Sequence, residues 1–291
     1  MSARHAGPPP LTIRRRTFAW GARTYVMGIL NVTPDSFSGD GLLAHGDAVA
    51  DAVAQAIRMA AEGADLLDIG GESSRPGHAL VSVADELVRV VPVVAAVRAA
   101  LPGMPLSVDT AKAAVAEAAL DAGADLLNDV TGTAPDAQLA LVAAARGVPL
   151  VLMHGRRSAA FSADVVADVI DDLATALARA IGIGCRPETL IVAPGIGFGK
   201  TPEENLALLR DLARLGALGH AVLLGASRKS TIGRVLDLPP DQRLEGTLAT
   251  TALGVAGGAD LVRVHDVREN VRAARMADAI VRGWHDPDVA G

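Results

Sequence analysis

Gly63-Ala64-Asp65-Leu66-Leu67 recurs as Gly123-Ala124-Asp125-Leu126-Leu127 and as Gly258-Ala259-Asp260-Leu261-Val262. Each copy follows an Ala-rich stretch of helical character and precedes a short apolar run. Glycine adopts the left-handed conformation that ends a helix, so the joint reads as helix stop, then strand. One joint used three times in a single chain points to one supersecondary unit repeated along it.

Working outward, eight apolar runs qualify as strands: Tyr25–Asn31, Asp65–Gly70, Pro105–Asp109, Asp125–Val130, Pro149–His154, Thr189–Ala193, Ala221–Gly225 and Asp260–His265. Most are continuously apolar, as in parallel strands buried on both faces. Helical stretches fill the gaps. The clearest begins at Thr201, an N-cap followed by Pro202 at the first helical position and by Glu204, which completes a capping box. Eight strand–helix units predict an α/β fold of the (β/α)8 TIM barrel type. A doubly wound open sheet is the alternative, weakened because no G-x-G-x-x-G follows the first strand. Residues 11–24 suggest a short N-terminal hairpin that could plug the bottom of the barrel. The expected organisation is a disordered lead over residues 1–10 and a single domain over residues 11–285.

The 291 residues are 50% apolar but only 2% aromatic, so the core must be built from Ala, Val, Leu and Ile. A formal net charge of −6 argues against a general nucleic-acid binder. The single cysteine, Cys185, excludes an intrachain disulfide and suits a reducing cytoplasm. No apolar run approaches the roughly 18–20 residues of a membrane span, so no membrane partner is expected.

A barrel of this kind carries its chemistry at the C-terminal ends of its strands. Those ends bring Asn31; Glu72, Ser73, Ser74 and Arg75; Asp109; Asn128 and Asp129; Met153 and His154; Ser227, Arg228, Lys229 and Ser230; and Arg263, His265 and Asp266. Barrel packing does not demand so many converging polar groups, and a site accounts for them. Asp109 and Asn128 suit the donor–acceptor edge of a planar heterocycle. Arg75, Lys229, Arg263 and His265 concentrate positive charge in an acidic chain, and Ser227–Ser230 opens a helix whose N–H groups favour anions. A surface salt bridge would explain Arg263 or Lys229 alone, but their joint position at strand ends favours a site for a heterocycle with an anionic group.

Other signals are weak. Pro194-Gly195-Ile196-Gly197-Phe198-Gly199-Lys200-Thr201 resembles a phosphate-binding loop, but Pro194 stands where that motif needs glycine. His5, His45, His78, His220 and His285 lack metal-ligand spacing, and Cys185 has no nearby base in sequence.

Met27–Ser38 (MGILNVTPDSFS), Asp68–Gly77 (DIGGESSRPG), Ser107–Thr110 (SVDT), Leu127–Asp129 (LND), Leu152–His154 (LMH), Pro194–Lys200 (PGIGFGK), Gly225–Ser230 (GASRKS) and Arg263–Val267 (RVHDV) together resemble the dihydropteroate synthase family. The resemblance runs in order over about residues 25–280. It implies a folate-biosynthetic transferase that joins 6-hydroxymethyl-7,8-dihydropterin diphosphate to 4-aminobenzoate and releases pyrophosphate. It also implies Mg2+ as cofactor, a homodimer, and sulfonamides as inhibitors. By the same resemblance Asp109, Asn128, Met153, Lys229 and Arg263 bind the pterin. Asn31, Ser74, Arg263 and His265 hold the diphosphate, with Asn31 near the metal. Ser74, Arg75, Pro76, Phe198 and Ser230 form the 4-aminobenzoate site. Asn31, Arg75, Lys229, Arg263 and His265 are the implied catalytic set. The glycine-bearing loops 32–47 and 72–83 are expected to close over the substrates.

The sequence departs from that family at Ala193, where the family has an aspartate against the pterin. It also reads Ser36-Phe37-Ser38-Gly39-Asp40-Gly41, moving Asp40 by one position, and places Arg156 and Arg157 after the Leu-Met-His element. Three readings follow: an active synthase that tolerates Ala193, a weakened or inactive pterin-binding relative, or a pterin-dependent methyltransferase. The intact Ser73-Ser74-Arg75-Pro76 and Ser227-Arg228-Lys229-Ser230 elements, which serve the second substrate, disfavour the last.

Overall fold

The computed structural model describes residues 8–33, 48–72, 80–155 and 161–284. Most of the expected disordered lead and of the two long loops, with Asp40, Ser74, Arg75, Pro76, Arg156 and Arg157, lies outside the described residues. An antiparallel hairpin, β1 (Leu11–Ile13) and β2 (Arg16–Phe18), comes first. Eight parallel strands follow: β3 (Tyr25–Asn31), β4 (Leu66–Gly70), β5 (Leu106–Asp109), β6 (Leu126–Asp129), β7 (Leu150–Met153), β8 (Leu190–Ala193), β9 (Ala221–Leu224) and β10 (Leu261–Val264). They close into a barrel in which β10 pairs with both β9 and β3. The helices are α1 (Ala48–Ala61), α2 (Val83–Ala100), α3 (Ala113–Asp121), α4 (Gln138–Arg146), α5 (Val165–Ile183), α6 (Pro202–Arg210), α7 (Ser230–Leu236), α8 (Leu244–Ala256) and α9 (Val267–Arg282).

All eight expected strands occur, and several begin one residue later than the apolar pattern suggests. The joints explain why. Gly63, Gly123 and Gly258 all have positive φ, which ends each helix as expected. The aspartate that follows is a fastener rather than a strand residue. Asp65 donates its N–H to the Val26 carbonyl (2.8 Å) and accepts from the Val26 N–H through Oδ2 (2.9 Å). Asp125 grips Leu106 in the same way (2.7 and 2.9 Å), as Asp260 does Val222 (2.9 and 3.0 Å). Each repeat thus sets the register of a neighbouring strand at the bottom of the barrel, and Arg23 and Arg98 pair with two of the three carboxylates.

Two cores result. Aliphatic residues fill the layer between strands and helices. A second cluster inside the barrel joins Met27, Leu66, Leu126, Val151, Ile191 and Leu261 to Leu11, Ile13, Phe18 and Trp20 of the hairpin segment. Phe18 stacks on Trp20 at 5.5 Å and meets Tyr25 at a tilt at 4.8 Å, with the Trp20 and Tyr25 rings edge to face. The hairpin closes the bottom, and three of the chain's few aromatic rings are spent there. The α6 capping box forms as read, with the Glu204 N–H donating to Thr201 Oγ1 and the Thr201 N–H to Glu204 Oε2.

Candidate active site

Strand alternation decides which side chains reach the open end. Leu106, Leu127 and Leu152 belong to the outer layer, whereas Leu126, Val151, Met153, Ile191 and Ala193 belong to the barrel interior. The same parity sends Asp68, Ser107, Asp109, Asn128 and Arg263 inward. Gly70 is the register partner of Asp109. A Cβ there would lie 3.5 Å from the Asp109 Cβ, so glycine keeps the floor open beside the carboxylate.

Arg263 lies between two carboxylates. Its Nε donates to Asp68 Oδ2 (2.5 Å) and its Nη2 to Asp109 Oδ2 (2.7 Å). Asn128 Nδ2 donates to the same Asp68 oxygen (2.9 Å). One Asn128 amide N–H is therefore committed to Asp68, which leaves the second N–H and the carbonyl oxygen for a ligand. Asp109, Asn128, Met153, Ala193, Phe198, Lys229 and Arg263 line one small cavity of about 40 Å³. That volume is small beside the roughly 300–1,000 Å³ of a ligand cleft. Lys229 Nζ donates to the Ile196 carbonyl (2.5 Å) and sits 4.5 Å above the Phe198 ring.

Burial pushes the Asp109 carboxyl up to about 7. Arg263 opposes the shift, while Asp68 and Glu86 add to it. Burial, with Arg263 and Lys200 nearby, pulls Lys229 down to about 7 against the pull of Asp109. Burial also works against the Arg263 charge, but Asp68 and Asp109 outweigh it and hold the guanidinium above its ordinary value. Perturbed groups of opposite kind around one cavity mark a functional site.

Of the remaining expected residues, Asn31 ends β3 half-buried, and Ser230 is exposed at the start of α7. His265 sits at the end of β10, its Nδ1 3.0 Å from Ser227 Oγ. Arg228 adopts a left-handed conformation, φ 55°, and turns away from the cavity to make paired bonds with Asp266 (3.0 and 2.5 Å). This kink lets the next residue, Lys229, enter the site. Three strand-end groups depart from expectation. His154 is fully buried and its Nε2 meets Asp172 Oδ2 of α5 at 2.9 Å, outside the barrel interior. Asp129 takes the outward parity and accepts from Thr131. Glu72 pairs with Lys112.

Asp68 and Ser107 are the inward residues that the strand-end reading missed, since both lie one layer below the ends. They are register partners. Asp68 Oδ1 and Ser107 Oγ are buried without a hydrogen-bond partner among the described residues, an arrangement that costs stability. The alternation Leu66, Asp68, Gly70 was the available signal. Among the described residues no cluster of three or more His, Cys, Asp or Glu could hold a metal ion, and no helix is long and apolar enough to cross a membrane.

A family model described as pterin binding enzyme matches residues 27–265, which include every wall of this cavity. The chain belongs to the dihydropteroate synthase family. A relative described as dihydropteroate synthase from Clostridium beijerinckii is 47% identical over 273 residues, covering 94% of this chain and all of that one. The solved dihydropteroate synthase of Clostridium difficile, determined in the presence of pteroic acid, is 46% identical with a TM-score of 0.86, over 91% of this chain and 99% of that one. The Xanthomonas albilineans dihydropteroate synthase with 4-aminobenzoic acid is 43% identical, also with a TM-score of 0.86, over 94% and 98%.

Proposed function

We propose that this synthase-family chain condenses 6-hydroxymethyl-7,8-dihydropterin diphosphate with 4-aminobenzoate to give 7,8-dihydropteroate and pyrophosphate. The convergence of Asp109, Asn128, Lys229 and Arg263 on one cavity carries the reading. The polar floor is rich in acceptors, Asp109 and the Asn128 carbonyl, and would meet the N–H groups of a pterin edge. Met153 and Arg263 would flank the ring, and Lys229 would leave the Ile196 carbonyl to donate to it. Arg263 commits Nε and Nη2 to its carboxylates, which leaves Nη1 for the diphosphate together with His265, Asn31 and Ser74. Phe198, Ser230, Ser74, Arg75 and Pro76 would form the 4-aminobenzoate site and accept sulfonamides in its place.

The reaction breaks the bond between the pterin methylene carbon and the diphosphate oxygen. The electron pair leaves with the diphosphate, and the conjugated ring spreads the resulting positive charge. The 4-aminobenzoate nitrogen then forms the new bond and loses a proton. That amine is neutral at pH 7, so no strong base is required. Cationic side chains at the mouth act on the departing charge, which is electrostatic catalysis. Mg2+ keeps water ligands and binds through one or two protein oxygens plus substrate phosphates. Asn31 offers one such oxygen, which fits an ion that neutralises the leaving group.

Ala193 removes an acceptor from the β8 side of the cavity. A hydrogen bond to a charged group contributes about 1.5–3 kcal/mol, roughly 10–150-fold in affinity. Purified protein supplied with both substrates and Mg2+ is expected to release dihydropteroate and pyrophosphate, and Ala193→Asp is expected to bind the pterin substrate at least 10-fold more tightly. Folded protein that forms no product, in both the wild type and Ala193→Asp, overturns the proposal; product from the revertant alone marks the wild type as a weakened relative. The protein is further proposed to act in the cytoplasm as a homodimer. Met276 and Ile280, one helical turn apart near the end of α9, and Trp284 just beyond it are 64%, 73% and 65% exposed, an apolar patch suited to a partner subunit.

A further inference from the structure

Outside the cavity, one polar cluster built around a buried histidine has no part in the chemistry above. Lys200 Nζ donates to His154 Nδ1 (2.8 Å), to the Gly195 carbonyl (3.0 Å) and to the Phe198 carbonyl (3.2 Å). An ammonium donates only to an unprotonated ring nitrogen, so the His154 proton sits on Nε2, where Asp172 Oδ2 accepts it at 2.9 Å. The His154 ring is fully buried. Its backbone is fixed as well: its N–H donates to the Ala193 carbonyl (2.9 Å), and its carbonyl lies where a Cβ on Gly195 would fall, 1.8 Å away.

What Lys200 grips is the loop from Pro194 to Gly199. Gly195, Gly197 and Gly199 all have positive φ, so little in the backbone itself resists unfolding of this turn. Asn205 adds to the hold, its Oδ1 accepting the Gly197 N–H at 2.7 Å. The loop carries the two groups that locate Lys229: the Ile196 carbonyl and the Phe198 ring.

We infer that Lys200 is a positioning residue, oriented by His154 and Asp172, that sets the place of Phe198 and of the Ile196 carbonyl and so shapes the 4-aminobenzoate side of the site. The inference rests on the synthase reading for its kinetic consequence but not for its geometry. Asp109, Asn128 and Arg263 stand on strands that hold their places without this loop, whereas Lys229 rests on it, so the pterin side loses the placing of one donor and the second substrate bears the larger loss.

Lys200→Met is expected to raise the KM for 4-aminobenzoate about 10-fold or more, since small misplacement of a contact has effects of that order, with the KM for the pterin diphosphate, which feels the loop only through Lys229, raised by a clearly smaller factor. Lys200→Arg, which keeps donors of like charge, is expected to recover part of the loss. Asp172→Ala frees the His154 tautomer and is expected to show the same split more weakly. Equal rises in both KM values, or unchanged kinetics in a folded Lys200→Met protein, overturn the inference. Crystal structures of wild type and Lys200→Met read it without turnover. A Phe198 ring and Ile196 carbonyl left in place overturn it, even if the wild type proves inactive and the synthase reading has failed separately.

Discussion

Asp109 and Lys229 face one cavity with both groups moved to about 7. The carboxyl has risen from its ordinary range, so it loses its charge as pH falls through about 7, and acceptance from a pterin N–H weakens on that side. The ammonium has fallen from its ordinary range, so it loses its charge as pH rises through about 7. The kcat/KM for the pterin diphosphate is therefore expected to peak near pH 7 and fall on both sides, and Asp109→Asn is expected to erase the acidic limb. A flat profile from pH 5.5 to 8.5 would contradict these environments. At this scale the sequence was legible at strand ends and opaque one layer down. Asp109, Asn128 and Arg263 declared themselves as polar terminations. Asp68, which accepts from both Asn128 and Arg263, sits inside an apolar run and shows its role only once strand parity is known. His154 reads as a strand-end polar group, yet the next step of the alternation carries it to the helix layer.

Among the elements, the Gly-Ala-Asp joints were legible because glycine and strand onset are local matters. The double grip of each aspartate on a neighbouring strand was not, since it depends on which strands lie side by side. The hairpin was legible as a turn between apolar residues, but its docking depends on the shape of the barrel interior. Phe18 is 1% exposed within that interior cluster. Phe18→Ala is expected to destabilise by about 3–5 kcal/mol, lowering the melting temperature by roughly 10 °C, with kcat at 25 °C little changed. Scanning calorimetry, and the emission of Trp20 beside the lost ring, would measure it; an unchanged melting temperature would mean the hairpin is not part of the core.

For the molecule as a whole, repetition made the barrel readable from a single chain, while the outer face of α9 gave no signal until its neighbours were known. Ile280→Asp is expected to shift the protein from dimer to monomer in light scattering at micromolar concentration; a wild type that is already monomeric removes the role assigned to that patch. The hairpin at the bottom of the barrel has a consequence for the order of events. With Phe18, Trp20 and Tyr25 filling the bottom, the barrel is a blind well with one mouth, and on the proposed reading the pterin would occupy the floor and 4-aminobenzoate the side nearer the mouth. The lower ligand must arrive first and the fused product must leave before the next can enter. Initial-rate patterns are expected to be ordered, with 4-aminobenzoate failing to bind in isothermal titration until the pterin subsite and the pyrophosphate region are filled. Random-order kinetics would mean that the well has a second opening.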